Sequence, residues 1–301
     1  MNARIETIAW TQSPALRRAA DLASLAKPRL VSLVLVTTLV GFYLGSAGRV
    51  DVALLALTIL GTALAAAGSL ALNQYLERDV DALMARTRVR PLPDGRLRPI
   101  EALTFGVLTA AAGLLVLSLL VSPLAGAVTA ATVATYLFLY TPLKRRTSLA
   151  TIAGAIPGAL PPVTGWIAAR GEMGGGAAAL FAILFLWQLP HFLALAWLYR
   201  EDYANAGIVV LPSSDPDGAM TGRQMVANLM ALLFAALLPV FVGIAGPFYF
   251  VGAMALSGAF LACGVAFALS PSYTGARRVF LASLAYLPAL LALLALGRTP
   301  L

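Results

Sequence analysis

Charge is scarce in this chain: Asp, Glu, Lys and Arg make up 11% of its 301 residues, against 60% hydrophobic residues and a mean hydropathy of +0.87. A soluble domain carries about 25% charged residues, so a water-soluble globule is excluded. Cysteine is nearly absent. Cys263 stands alone in an apolar stretch, which excludes an intrachain disulfide framework and a cysteine metal site. Acids are also few, 13 against 21 Lys and Arg, and the net charge is +8. That balance suggests nucleic acid only until the cations are located, because they fall in loops between apolar runs; no nucleic-acid partner is expected. Residues 1–29 mix Arg4, Arg17, Arg18, Lys27 and Arg29 with Glu6 and Asp21, and no apolar stretch with a small-residue cleavage site follows. No cleaved signal or transit segment is expected.

What is abundant is long apolar runs. A bilayer core about 30 Å thick takes about 20 apolar residues at about 1.5 Å each, and nine such runs can be drawn. They are Leu30 to Ala47, Val52 to Leu76, Ile100 to Val121, Leu124 to Tyr140, Leu149 to Ala169, Gly176 to Leu198, Met225 to Ile244, Phe248 to Leu269 and Val279 to Leu296. The fold class predicted is all-α and multi-pass. Nine crossings put the termini on opposite sides, and eighteen of the 21 cations then share a side, leaving only Arg49, Arg170 and Arg298 on the other. The positive-inside rule predicts an inner N-terminus and an outer C-terminus, with the lipid bilayer as the protein's surroundings.

The acids are as lopsided as the cations, although targeting does not require it. Only Asp51 and Glu172 lie outside, and two long inner loops, about residues 77–99 and 199–224, read as the working part. If the second helix continues past Leu76, Asn73, Glu77 and Asp81 recur every four residues and stack on one face. A row of oxygen donors suits Mg²⁺, which is commonly held by one or two carboxylates plus substrate phosphates. Arg86, Arg88 and Arg90 follow at alternate positions. The bland alternative is a solvated charge cluster whose acids and arginines pair, but Asn73 and Glu77 sit at the mouth of a membrane helix, where polar groups are expensive. The second loop offers Glu201 and Asp202, and between the loops lies the cationic turn Lys144-Arg145-Arg146, suited to gripping a diphosphate.

The stretch from Asn73-Gln74-Tyr75-Leu76-Glu77-Arg78-Asp79-Val80-Asp81 to Met84-Ala85-Arg86-Thr87-Arg88-Val89-Arg90-Pro91-Leu92 resembles the first motif of the UbiA-type intramembrane prenyltransferases. Its arginine-rich tail resembles the haem O synthase (protohaem IX farnesyltransferase) branch. Further matches are Lys27-Pro28-Arg29, Tyr140-Thr141 with Lys144-Arg145 and Thr147, Ile156-Pro157-Gly158 to Pro162 with Gly165-Trp166, Trp187-Gln188-Leu189-Pro190-His191-Phe192, and Asp202-Tyr203-Ala204-Asn205-Ala206-Gly207-Ile208. The resemblance covers about residues 27–212. It implies a UbiA-type bundle of nine transmembrane helices: an N-terminal segment 1–29, then one prenyltransferase domain, residues 30–301. It implies Mg²⁺-assisted transfer of a farnesyl group from farnesyl diphosphate to a vinyl group of haem B, giving haem O, at the inner face of the cell membrane. Haem A synthase or terminal-oxidase assembly factors would be partners. Carried over by position, Asn73, Glu77 and Asp81 form the first metal–diphosphate set and Glu201 and Asp202 the second, with Asn73, Glu77, Asp81 and Asp202 catalytic. Arg86, Arg90, Lys144 and Arg145 would grip the diphosphate. The chain departs from the pattern at Gln74 and Ala206, where acids are common, and at Val209-Val210, where Pro-Met is expected.

His191, the only histidine, is about 15 Å along the helix from Glu201 and follows Pro190. Two readings stand for it: a haem contact or iron ligand, or a buried histidine bonded to a carbonyl freed by the proline. Trp166, Trp187 and Trp197 read as packing or interfacial aromatics. Within the same fold, a quinone precursor or chlorophyll-like pigment is the alternative acceptor. A transporter is the alternative class, disfavoured because transporters place their sites near the midplane, whereas these acids gather at one mouth.

Overall fold

The computed structural model describes residues 13–299 of the chain. The first twelve residues of the expected N-terminal segment, and residues 300 and 301, lie outside the described residues. A short helix, α1 (Pro14–Leu25), is followed by α2 (Pro28–Gly45), α3 (Val52–Asp81), α4 (Pro99–Val121), α5 (Pro123–Leu143), α6 (Ala150–Arg170) and α7 (Gly175–Leu198). Then come a six-residue helix, α8 (Arg200–Asn205), and α9 (Ala219–Phe241), α10 (Pro247–Leu269) and α11 (Tyr273–Leu296). Among the described residues nine helices are long and apolar enough to cross a membrane, and no strand is present.

The helix starts are written locally. Pro28, Pro99, Pro123 and Pro247 open their helices where a missing N–H costs nothing. Asp51 accepts from the Leu54 amide at 3.0 Å, Ser122 from Ala125 at 3.0 Å and Ser272 from Gly275 at 3.1 Å. Two helices run longer than the sequence suggests. α3 passes Leu76 without a break and ends at Asp81, and α11 begins at Tyr273, taking Arg277 and Arg278 into its first turns. Long cationic stems reach the membrane surface from a helix end, so charge marks the end of the apolar window and not the end of the helix. α3 is 30 residues long, about 45 Å at about 1.5 Å per residue, and so carries its last turns beyond the hydrocarbon.

Without a hydrophobic drive between helices in lipid, small residues let backbones touch. α3 presents Gly61, Ala65 and Gly68 to Gly106, Ala110 and Gly113 of α4; a Cβ on Gly68 would lie 2.3 Å from the Ala110 nitrogen. α2 and α6 meet as closely: a Cβ on Gly41 would lie 2.0 Å from the Pro162 carbonyl oxygen. The largest core cluster includes Leu180, Ile183, Met225, Tyr249 and Phe267, all fully buried. Buried hydroxyls there are paired, Tyr249 donating to the Ala236 carbonyl at 2.7 Å and Ser257 lying 2.9 Å from the Tyr286 hydroxyl. The loop between α3 and α4 folds back on the end of α3, where the Thr87 hydroxyl donates to the Asp81 carbonyl at 2.7 Å.

Candidate active site

The last turns of α3 build the site. Asn73, Glu77 and Asp81 lie four residues apart on one face, and Asn73 and Asp81 are each 2% exposed. Asp79 points away, its side chain 85% exposed beside Arg78. The row opens on a cavity of about 410 Å³ that α2, α3, α5, α6 and α7 enclose. Its neck is charged, and its body runs down α3 past Ser69, Ala66 and Ala65 to Thr62. Fifteen residues separate Glu77 from Thr62, about 22 Å of helix.

The opposite wall comes from α5, whose residues Thr135–Tyr140 wind as a π-helix. Such widened turns are frequent at functional sites because they re-aim side chains. Here Tyr136 and Tyr140 both enter the cavity, rings stacked at 5.7 Å. The Tyr136 hydroxyl donates to Asn73 Oδ1 at 3.1 Å, Asn73 Nδ2 donates to Thr141 Oγ1 at 3.0 Å, and Thr141 Oγ1 donates to the Tyr136 carbonyl at 2.8 Å. The closed ring fixes which way the amide points and leaves its oxygen a second lone pair.

One turn beyond Tyr140, Lys144 sets its Nζ 2.9 and 3.2 Å from the two oxygens of Glu77 and 4.3 Å from the Tyr140 ring centroid. Burial by itself would discharge this ammonium; Tyr140, Glu77 and Tyr136 outweigh it and raise its pKa above the ordinary lysine value. Arg90 Nη1 holds Asp81 Oδ2 at 2.6 Å. Arg86 lines the cavity and lies 5.3 Å over the Tyr199 ring; beside it the Tyr203 hydroxyl is pushed up by burial, against the pull of the Arg86 charge. The two long loops therefore meet over the neck through arginine and tyrosine. The Val209 amide ties the second loop down by donating to the Lys144 carbonyl at 2.8 Å.

Lys27 adds another cation to the neck. Burial first, then Arg90 and Lys144, push it down to about 8, against the opposing pull of Asp81 and Glu77. It is the one non-glycine residue with positive φ (48°) among the described residues, a conformation costing roughly 1–2 kcal/mol.

Asn73, Glu77, Asp81, Arg86, Arg90 and Lys144 are thus brought to one cavity, and four expected residues are not. Arg145 is exposed on the turn after Lys144. Glu201 and Asp202 line a neighbouring hollow with Asp217 and Arg200, while Tyr203, next on the short α8, turns into the cavity. His191 faces α11 instead, stacked between Trp187 at 5.2 Å and Phe280 at 4.9 Å, with Nδ1 2.7 Å from Ser283 Oγ. Its partner is that hydroxyl and not a carbonyl freed by Pro190. Lys27, Tyr136, Tyr140 and Tyr203 complete the neck and were not picked out as site residues. Tyr136 and Tyr140 could have been, since they stand four apart, and four before Lys144, at the end of an apolar run.

Among the described residues no group of three or more His, Cys, Asp or Glu is placed to hold a metal unaided. The donor set suits a hard cation that brings its own phosphate oxygens, since two carboxylates and an amide oxygen face a space with four cations. Such a neck is suited in charge to a metal diphosphate, and the apolar body below to a greasy chain.

The chain matches the UbiA prenyltransferase family over residues 34–295. It is 46% identical to a protoheme IX farnesyltransferase of Solibacter usitatus over 92% of this chain and 98% of that one, and 44% identical to that of Myxococcus xanthus over 100% and 99%. In fold it is similar to a digeranylgeranylglyceryl phosphate synthase, with a TM-score of 0.80 at 16% identity, covering 93% of this chain and 98% of that one. A UbiA homologue from Archaeoglobus fulgidus bound to GPP and Mg²⁺ matches with a TM-score of 0.62 at 16% identity, covering 91% and 99%. With a family model matched over residues 34–295 and relatives 44–46% identical over more than nine-tenths of its length, the chain belongs to the UbiA prenyltransferase family.

Proposed function

We propose that this chain transfers the farnesyl group of farnesyl diphosphate to a vinyl group of haem B, making haem O. The observation that carries the reading is the single cavity in which Asn73, Glu77 and Asp81 face Lys27, Arg86, Arg90 and Lys144 above an apolar body. The 44–46% identity to protoheme IX farnesyltransferases along almost the whole chain names the acceptor.

Asn73, Glu77 and Asp81 would hold Mg²⁺ with the diphosphate; the ion would neutralise the leaving group. Arg86, Arg90 and Lys144 stabilise negative charge as it develops on the departing oxygens. The C1–O bond of the allylic substrate breaks with its electron pair leaving on diphosphate. C1 then bonds to the terminal vinyl carbon of haem, water adds to the other vinyl carbon, and a proton is released. The Tyr136 and Tyr140 rings favour cationic carbon at the neck. Arg145 would meet the diphosphate on entry. Glu201 and Asp202 would complete the ligand set when α8 turns inward over the neck, a movement that the one-residue step to Tyr203 makes short. His191 would contact haem from its aromatic cluster, Nδ1 on Ser283 leaving Nε2 as the nitrogen for iron.

The proposed setting is the cell membrane, with the N-terminus and the neck on the cytoplasmic side as the cation count predicts. Residues 30–301 act as one catalytic unit, and the proteins that use haem O, including haem A synthase, are its partners. Mass spectrometry of haems extracted from cells with and without the chain tests the reaction. Haem O should appear with the chain; an unchanged haem profile beside an altered quinone would overturn the acceptor.

A further inference from the structure

Between α1 and α2 the chain turns at Ala26 and Lys27, and three observations converge on that turn. Lys27 adopts φ 48° and ψ 66°, a left-handed conformation that glycine would take freely. Its side chain enters the cavity neck, yet its ammonium makes no hydrogen bond or ion pair among the described residues, while Lys144 and Arg90 are each paired to an acid. Behind the turn, Gln74 is 3% exposed and its Nε2 donates to the Leu25 carbonyl at 2.7 Å. Gln74 stands one residue after Asn73, so it leaves α3 about 100° away from the oxygen row, toward the turn and not toward the neck. Leu25 itself is fully buried in a small cluster with Ala71, Leu92, Leu97 and Ala102. The turn is thus pinned from two sides, and its strained residue is the one that carries a half-buried charge into the site.

We infer that Lys27 binds the diphosphate of the prenyl substrate directly, and that Gln74 is a positioning residue that aims it through the Leu25 carbonyl. A half-buried cation without a protein partner is costly, and an anionic ligand supplies the missing one. Gln74, standing where an acid is common in the family, therefore serves the diphosphate at one remove. The inference rests on the diphosphate reading of the neck but not on haem as acceptor.

The test is binding of Mg²⁺–pyrophosphate to the purified full chain in lipid, read by calorimetry together with thermal midpoint. Lys27→Gly removes the charge and relieves the left-handed backbone. It should hold or raise the midpoint while weakening pyrophosphate about 10- to 100-fold, the range for losing one charge-assisted hydrogen bond. Lys27→Arg should stay within about 5-fold of wild type, because it keeps the charge and most of the reach. Gln74→Leu should weaken binding in the same sense, and adding it to Lys27→Gly should weaken binding no further, since both act on one contact. For turnover, KM for farnesyl diphosphate should rise in both single variants with KM for haem unchanged. A folded Lys27→Gly chain that binds pyrophosphate as wild type does would overturn the role of Lys27. Additive losses in the double variant would overturn that of Gln74. Loss of haem O formation with pyrophosphate binding still dependent on Lys27 would remove the acceptor and leave this inference standing.

Discussion

Lys144 and Glu77, 67 residues apart, form a two-pronged ion pair across the neck, with Nζ 2.9 and 3.2 Å from the carboxylate oxygens and both side chains more than four-fifths buried. Asp81 and Arg90 form a second pair through a single contact of 2.6 Å. Both carboxylates at the neck are thus already matched with a cation proposed for the diphosphate. On the proposed reading, arrival of a metal diphosphate would exchange these partners without uncovering a bare charge, cation to phosphate and acid to metal.

Glu77→Gln and Lys144→Met should each lower haem O formation at least about 100-fold and, by stranding a buried charge, cost about 3–5 kcal/mol of stability. The double variant should recover most of the stability and none of the activity. Thermal midpoints in detergent beside extracted haem O give both readings. A double variant no more stable than either single one would show that the pair is not coupled.

The two acidic stretches should respond differently to metal. Asp81→Asn removes a donor that lines the neck and should abolish turnover at any Mg²⁺ concentration. Asp202→Asn removes one that reaches the neck only when α8 moves, and should instead raise the Mg²⁺ concentration needed for half-maximal rate. Rates titrated with Mg²⁺ separate the two, and an Asp202→Asn chain with an unchanged Mg²⁺ curve would take Asp202 out of the ligand set.

Tyr136→Phe deletes the hydroxyl that fixes the Asn73 amide. The cost should fall on the rate and not on assembly, about 10-fold in kcat with the thermal midpoint moved little, because a buried neutral hydrogen bond is worth about 1 kcal/mol. An Asn73→Ala background should hide the effect, and steady-state kinetics of the two single and the double variants would measure it.

Glycines on the helix seams can be tested against a built-in control. Gly41→Val and Gly68→Val force a side chain into the Pro162 carbonyl and the Ala110 backbone, and should abolish stable insertion. Gly258 has open space where its Cβ would go, so Gly258→Ala should be neutral or stabilising by up to about 1 kcal/mol. Yield of monodisperse protein after extraction reports each outcome.

Much of this was legible beforehand because membrane helices announce themselves by length. All nine crossings fall where the apolar runs lie, and the spacing of Asn73, Glu77 and Asp81 places them on one face once α3 is known to continue. The differences at the helix ends have a common cause: charge bounds an apolar run but not the helix that carries it. α3 carries Glu77 and Asp81 as helix, and α11 does the same with Arg277 and Arg278. The π-helical turn that swings Tyr136 and Tyr140 inward packs against α3 and α6, and the four-residue spacing of the two rings does not by itself distinguish it from an ordinary helical turn. Lys27 was hidden differently, as one basic residue among many at a membrane edge; what distinguishes it is a backbone angle that composition cannot report.

The unbroken run of α3 has a mechanical consequence. One rigid rod is locked to α4 by a glycine seam near its middle and bears the Asn73, Glu77 and Asp81 row at its tip, so the distance between seam and row is constant. A thinner or thicker bilayer cannot change the inner geometry of the reaction centre; it can only change how far that centre stands proud of the lipid, and with it the depth from which a flat, greasy acceptor must rise to meet it.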